Sequence, residues 1–169
     1  MLCLLGKAGD EDTVLITDKA DYVDLFEHSP WVVERAFAAG PFADAAALHV
    51  AMQWVVDQAS EGEQLALIRA HPELAAREVP LTEASAAEQS AAGLRALSAA
   101  EYKRFAALNA AYGQKFGFPF IICVRLHSKA EILQEFARRL ENDAVVERAR
   151  ALTEIGRITW LRLQDRVLA

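Results

Sequence analysis

The 169-residue sequence predicts an all-α fold, a single helical bundle with one short extended connection near residues 118–124. Three observations carry that prediction. Three S-x-x-E sequences, Ser85–Glu88, Ser98–Glu101 and Ser128–Glu131, have the form of a helix-starting capping box. From residue 30 onward the apolar residues recur at helical spacing, and just one segment, Phe118 to Val124, is a continuous apolar run of strand length. A lone extended segment has no second strand with which to form a sheet, so the bundle is the architecture that remains.

Taken in order, Ser29-Pro30 has the arrangement of an N-cap followed by a first-turn proline, which predicts a helix from Pro30 to Ala39 ending at Gly40-Pro41. A second helix is expected from Asp44 to Ala59, with Ala47, Val50, Met52, Trp54 and Val55 forming a wide apolar surface. Glu63 to Ala70 reads as a shorter helix. It is stopped by Pro72, because the residue before a proline is pushed out of the α region, and this places His71 at a helix end. Helices are then expected to start at Ser85, Ser98 and Ser128, and a long final one covers Asp143 to Val167.

Composition narrows the function. Hydrophobic residues make up 53% of the chain and charged residues 25%, which excludes a disordered chain, and 8 Gly with 5 Pro leave no room for long linkers. The net charge of −6 disfavours a nucleic-acid partner, since affinity for phosphate backbones rests on clustered Lys and Arg. No apolar run approaches the roughly 18 residues of a membrane-spanning helix, and Met1 to Asp12 lacks the pattern of a secretory leader; the expectation is a cytoplasmic protein with no membrane partner. Cys3 and Cys123 form neither a disulfide framework nor a CxxC pair, and Cys123 sits in an apolar run where a thiol acts as inert packing. No metal site is expected. His28, His49 and His127 have no partners at ligand spacing, no H-E-x-x-H occurs, and the Gly-rich nucleotide-binding motifs are absent.

Four sets of residues remain as candidates for chemistry. His71 either caps the last carbonyls of its helix or serves as a general acid or base, since imidazole titrates near neutrality. Ser85 and Glu88 either cap a helix or use its N-terminus to hold an anionic group, and Gln89 adds a donor and an acceptor for an amide-rich ligand. In the Lys115–Arg125 segment the apolar side chains fill the core, yet an extended run without a ladder leaves the N–H groups of Phe120, Ile121 and Ile122 for a ligand's oxygens; Pro119 supplies no donor. On the last helix, Leu152, Gly156, Thr159 and Leu163 define an apolar stripe with Arg162 on its edge, whereas Arg157 faces away, so Arg162 is the better candidate for an inward guanidinium.

His71-Pro72-Glu73-Leu74-Ala75, Ser85-x-x-Glu88-Gln89, Leu108-Asn109-x-x-Tyr112-x-x-Lys115-Phe116-Gly117-Phe118-Pro119-Phe120-Ile121-Ile122 and Arg162-Leu163, in that order, resemble 2-oxo-4-hydroxy-4-carboxy-5-ureidoimidazoline (OHCU) decarboxylase. The resemblance spans Phe26 to Leu163 and includes Ser29-Pro30-Trp31. It implies an all-α homodimer without metal or organic cofactor that turns a small ureidoimidazoline into (S)-allantoin, the last step from urate to allantoin. It also implies His71 and Glu88 as catalytic residues, and Pro72, Ser85, Gln89, Phe118, Pro119, Phe120, Ile121 and Ile122 as substrate contacts. Arg162 would clamp a carbonyl or carboxylate, and Glu88 would hydrogen-bond His71 or the ureido group, or would itself deliver the proton to the ureido-bearing carbon. Residues 1–20 match nothing in the family, leaving 21–169 as one domain. Two other readings compete: a non-catalytic helical module that binds a partner helix in an apolar groove, and another cofactor-free lyase or hydrolase acting on a ureide.

Overall fold

The computed structural model describes residues 15–77 and 80–168, so Cys3 and most of the unmatched N-terminal segment lie outside the described residues. Among them are seven α-helices and no strand, with one isolated antiparallel bridge between Ile16 and Phe42. None of these helices is long and apolar enough to cross a membrane.

Helix α1 (Trp31–Ala36) runs into a 3-10 turn over Phe37–Ala39. The Ser29 hydroxyl does not cap it: Pro30 is already in the α region, and the Ser29 carbonyl accepts from Val32 N–H. Helix α2 (Ala45–Gln58) is capped by Asp44, whose Oδ1 accepts from Ala47 N–H at 2.8 Å. Its buried face is Leu48, Met52, Val55 and Val56, whereas Val50 and Trp54, expected among the inward apolar residues, are 67% and 63% exposed. The cause is helical geometry: Val50 lies two residues from both Leu48 and Met52, about 200° around the helix from each.

Helix α3 (Glu61–Arg69) starts earlier than expected because Ser60-x-x-Glu63 is itself a capping box. Helix α4 (Glu83–Ala91) corrects the reading of Ser85 as a cap. Thr82 is the N-cap, its Oγ1 accepting from Ser85 N–H at 3.3 Å, which puts Ser85 in the first turn and Glu88 in mid-helix, with Ser85 and Gln89 on the buried face. Ser98 and Ser128 do form capping boxes, at the starts of α5 (Ala99–Phe116) and α6 (Lys129–Arg139). Helix α5 ends at Gly117, whose φ of +73° is a left-handed cap that glycine adopts without strain. Helix α7 (Ala144–Leu168) packs against α2 and α3.

Between Gly117 and the 3-10 turn at Val124–Leu126 the chain is extended and, apart from the half-buried Pro119, buried. Phe118 and Phe120 join Tyr112, Phe116 and Phe136 in one aromatic cluster, with Phe120 stacked on Phe136 at a centroid separation of 3.8 Å. That packing fixes the extended run against α5 and α6 and leaves its other edge toward α4 and α7.

Candidate active site

Helix α3 sets His71. The chain leaves the helix at Ala70, and the ring turns back so that Nδ1 lies 3.0 Å from the carbonyl of Leu67, a carbonyl in the open last turn of α3. A carbonyl can only accept, so Nδ1 carries the proton and Nε2 carries the lone pair. Nε2 is buried and has no partner among the described residues. Burial pushes the pKa of the imidazole down to about 4; the Leu67 hydrogen bond and the negative Glu27 oppose this without reversing it. His71 is therefore both the carbonyl cap and a neutral base at pH 7.

The segment after His71 is held by two amides. Asn109 Nδ2 donates to the carbonyl of Leu74 at 2.9 Å, and Gln89 Oε1 accepts from Ala75 N–H at 2.9 Å, where Ala75 takes a left-handed φ of +59°. With its oxygen occupied, Gln89 presents its NH2 group.

Arg162, 8% exposed, is the inward guanidinium of α7, while Arg157 lies at the surface beside Glu154. The Arg162 fork meets Glu88 twice: Nε donates to Oε1 and Nη2 to Oε2, both at 2.8 Å. Nη2 also reaches Glu27 Oε1 at 3.1 Å and Ser85 Oγ at 3.2 Å, and Nη1 donates to the Leu25 carbonyl at 3.1 Å. Glu88 thus stands on Arg162 and not on His71, and the guanidinium braces three chain segments.

Sequence reasoning passed over Glu27. It is 2% exposed and accepts from Thr82 Oγ1 at 2.8 Å, from Ser85 Oγ and from Arg162. Burial pushes its carboxyl pKa up, but the hydrogen bonds from Ser85 and Thr82 and the Arg162 charge outweigh burial and hold it below the usual range, so it stays ionised. The one available signal was its place between the apolar Leu25-Phe26 and the Ser29-Pro30 helix start.

Beside these groups lies a cavity of about 30 Å³ lined by His71, Pro72, Ser85, Glu88, Gln89, Phe120, Ile121, Ile122 and Arg162, together with Leu74, Val124 and Ile158. Of the residues expected in the site, Phe118 and Pro119 lie outside it: Phe118 is spent on the aromatic cluster, and Pro119 is the turn into the run. A second cavity of about 450 Å³, open to solvent, abuts the first. The two share Glu88 and Arg162, and the outer one is edged by the Arg125–Asp165 and Arg166–Asp24 ion pairs. Along the extended run, Cys123 N–H donates to Glu154 Oε2 at 2.9 Å, but no described residue accepts from the N–H groups of Phe120, Ile121 or Ile122. The Cys123 thiol is buried, and burial pushes its pKa up to about 11, which leaves it unreactive at neutral pH.

The arrangement thus offers a buried neutral imidazole, an amide donor, a carboxylate–guanidinium pair and unpartnered backbone donors around one small cavity. Comparison with known proteins agrees with the resemblance. A family profile described as OHCU decarboxylase matches residues 19–164. The chain is 41% identical over 143 residues to the 2-oxo-4-hydroxy-4-carboxy-5-ureidoimidazoline decarboxylase of Haloferax volcanii, covering 85% of this chain and 84% of that protein. It is 38% identical over 163 residues to that of Bos taurus, covering 92% and 96%. A crystal structure of OHCU decarboxylase in the presence of (S)-allantoin superposes with a TM-score of 0.71 at 27% identity, over 86% of this chain and 96% of that one.

Proposed function

The chain belongs to the OHCU decarboxylase family, and from that premise we propose how its own residues release CO2 from OHCU and leave (S)-allantoin. The observation that carries the mechanism is the unpartnered, buried Nε2 of a neutral His71 at the wall of a cavity that also holds Glu88, Gln89 and Ile122.

The substrate contains its own electron sink. When the bond to the carboxylate breaks and CO2 departs, its electron pair forms a C=C bond to the ureido-bearing carbon, the ring C=N electrons pass to the nitrogen, which takes a proton from solvent, and an enol is left. His71 Nε2 accepts the hydroxyl proton as that enol becomes a carbonyl, and the ureido-bearing carbon takes a proton on one face from the imidazolium so formed, which returns His71 to its neutral state. Gln89 NH2 and the free backbone N–H groups bind the substrate oxygens and orient it, and the apolar wall of Phe120, Ile121 and Ile122 keeps water from the departing carboxylate.

Small-molecule sites occupy roughly 300 Å³ or more, so the 30 Å³ cavity takes the substrate together with the outer one beside it. Glu88 and Arg162 are the wall between the two. When Glu88 swings to the ureido group, it frees the Nε–Nη2 edge of Arg162 for a substrate carbonyl or carboxylate, while Glu27 and the Leu25 carbonyl keep the guanidinium in place.

The protein works as a homodimer in the cytoplasm, with residues 21–169 as one domain. The span 19–164 of the family match supports the domain, and Val50 and Trp54, side by side on the outer face of α2, are the apolar surface suited to a second copy. The test of function is to generate OHCU from urate with the two preceding enzymatic steps, add the protein, and follow OHCU decay together with the circular dichroism of the product. Fast decay with excess (S)-allantoin supports the reading; decay at the spontaneous rate to a racemate, from folded protein, overturns it.

A further inference from the structure

Helix α7 carries two fully buried carboxylates that the mechanism does not use, Glu147 and Glu154, seven residues apart and so on one face, with the buried Arg162 eight residues further, about 80° around the helix. Each is tied to the extended run. Glu147 Oε1 accepts from Arg139 Nε at 2.6 Å and from Tyr112 Oη at 2.5 Å, and its Oε2 accepts from Asn142 Nδ2 at 2.8 Å. Arg139, fully buried and 4.4 Å from the centre of the Phe120 ring, then donates through Nη1 to the carbonyl of Ile121 at 2.7 Å. Glu154 acts directly, its Oε2 accepting from Cys123 N–H at 2.9 Å, while Oε1 takes the surface guanidinium groups of Arg150 and Arg157.

The peptide units on either side of Ile122 are trans and planar, so within each the C=O and the N–H point in opposite directions. Arg139 holds the Ile121 carbonyl, which directs Ile122 N–H away from Arg139. Glu154 holds Cys123 N–H, which in the same manner directs the Ile122 carbonyl away from Glu154. None of Arg139, Glu147 and Glu154 lines the 30 Å³ cavity, and Ile122 does.

We infer that Glu147 and Glu154 are positioning residues: by fastening the two peptide groups that flank Ile122, they present the N–H and C=O of Ile122 together as a donor–acceptor pair for the cyclic amide edge of the substrate. The inference rests on the function proposed above and sharpens it. Of the N–H groups of Phe120, Ile121 and Ile122, that of Ile122 is the one whose direction is enforced, and one rigid helix carries both the carboxylates and Arg162. A donor and an acceptor on one residue match a ring –CO–NH– unit and fix which face of the ring meets His71.

The test combines variants with a spectroscopic readout. Glu154→Gln weakens the grip on Cys123 N–H with little change of volume, Tyr112→Phe keeps the aromatic stack and removes one donor to Glu147, and Arg157→Ala removes a surface partner of Glu154 as a control. Glu154→Gln is expected to raise KM for OHCU about tenfold with a smaller change in kcat, and to lower the enantiomeric excess of the allantoin formed. Tyr112→Phe acts in the same sense and more weakly, and Arg157→Ala leaves all three quantities unchanged. A variant that melts at a lower temperature yet keeps wild-type KM and enantiomeric excess reduces the carboxylates to structural parts and overturns the inference. Independently of turnover and of any variant's folding, (S)-allantoin titrated into wild-type protein labelled with 15N-isoleucine should move the Ile122 amide resonance more than that of Ile121. An unmoved Ile122 amide in the presence of bound allantoin overturns the inference, whereas failure of the wild-type protein to consume OHCU overturns the functional reading itself.

Discussion

Lowering the pH from 7 to 5 separates a buried base from an ordinary histidine. A free imidazole near pKa 6.5 is only about 3% neutral at pH 5, whereas His71, held down to about 4 by burial, is about 90% neutral there. If Nε2 is the base, kcat/KM at pH 5 stays within a few tens of percent of its pH 7 value and falls only as pH approaches 4. The same shift has a cost in stability. The unfolded chain takes up the proton near 6.5 and the folded chain only near 4, so acid favours unfolding. The contribution of a neutral His71 is complete above pH 6.5, declines by about 1.4 kcal/mol per pH unit below it, and is lost by pH 4, roughly 3 kcal/mol in all. The assay pairs kcat/KM on fresh OHCU with urea unfolding at pH 7 and pH 5. Between these two pH values His71 accounts for about 2 kcal/mol of lost stability, and His71→Asn removes that increment. A kcat/KM that falls tenfold or more by pH 5.5 with a midpoint near 6.5 refutes a buried, neutral, Nδ1-protonated His71.

Three further outcomes follow from the site. Arg162→Met leaves Glu27 and Glu88 without their shared cation and should cost about 3 to 5 kcal/mol, visible as a large drop in melting temperature. Thr82→Ala removes the α4 cap together with a hydrogen bond to Glu27, for a loss of about 1 to 2 kcal/mol by chemical denaturation. The dimer proposed through α2 requires that Trp54→Asp lower the mass seen by light scattering from two copies to one without unfolding the protein, since the side chain is mostly exposed in the protomer.

The helices were legible wherever a cap and an apolar stripe coincided. Ser98–Glu101 and Ser128–Glu131 each begin a helix, as read, and the extended run at 118–123 stands where one unbroken apolar stretch put it. The spacing of Ser85 and Glu88 is identical, yet Thr82, three residues earlier, takes the cap. The pattern cannot distinguish the two, because either side chain serves the same open N–H groups and tertiary contacts with Glu27 decide. His71 and Arg162 were singled out because their types and positions point to chemistry, and both line the inner cavity. Glu27, Glu147 and Glu154 were passed over because a glutamate in sequence reads as a solvated charge, and each has a buried partner far along the chain: Arg162 is 135 residues from Glu27, Tyr112 is 35 from Glu147, and Cys123 is 31 from Glu154. Position on a helical face also settled matters that residue type did not, sending Trp54 outward and Arg162 inward.

The most direct test of the account is a comparison of wild-type protein with His71→Asn on freshly generated OHCU, both shown to be folded by their melting transitions. The variant is expected to decarboxylate about 10² to 10⁴ times more slowly while still binding (S)-allantoin. Decarboxylation by His71→Asn at the wild-type rate would contradict it.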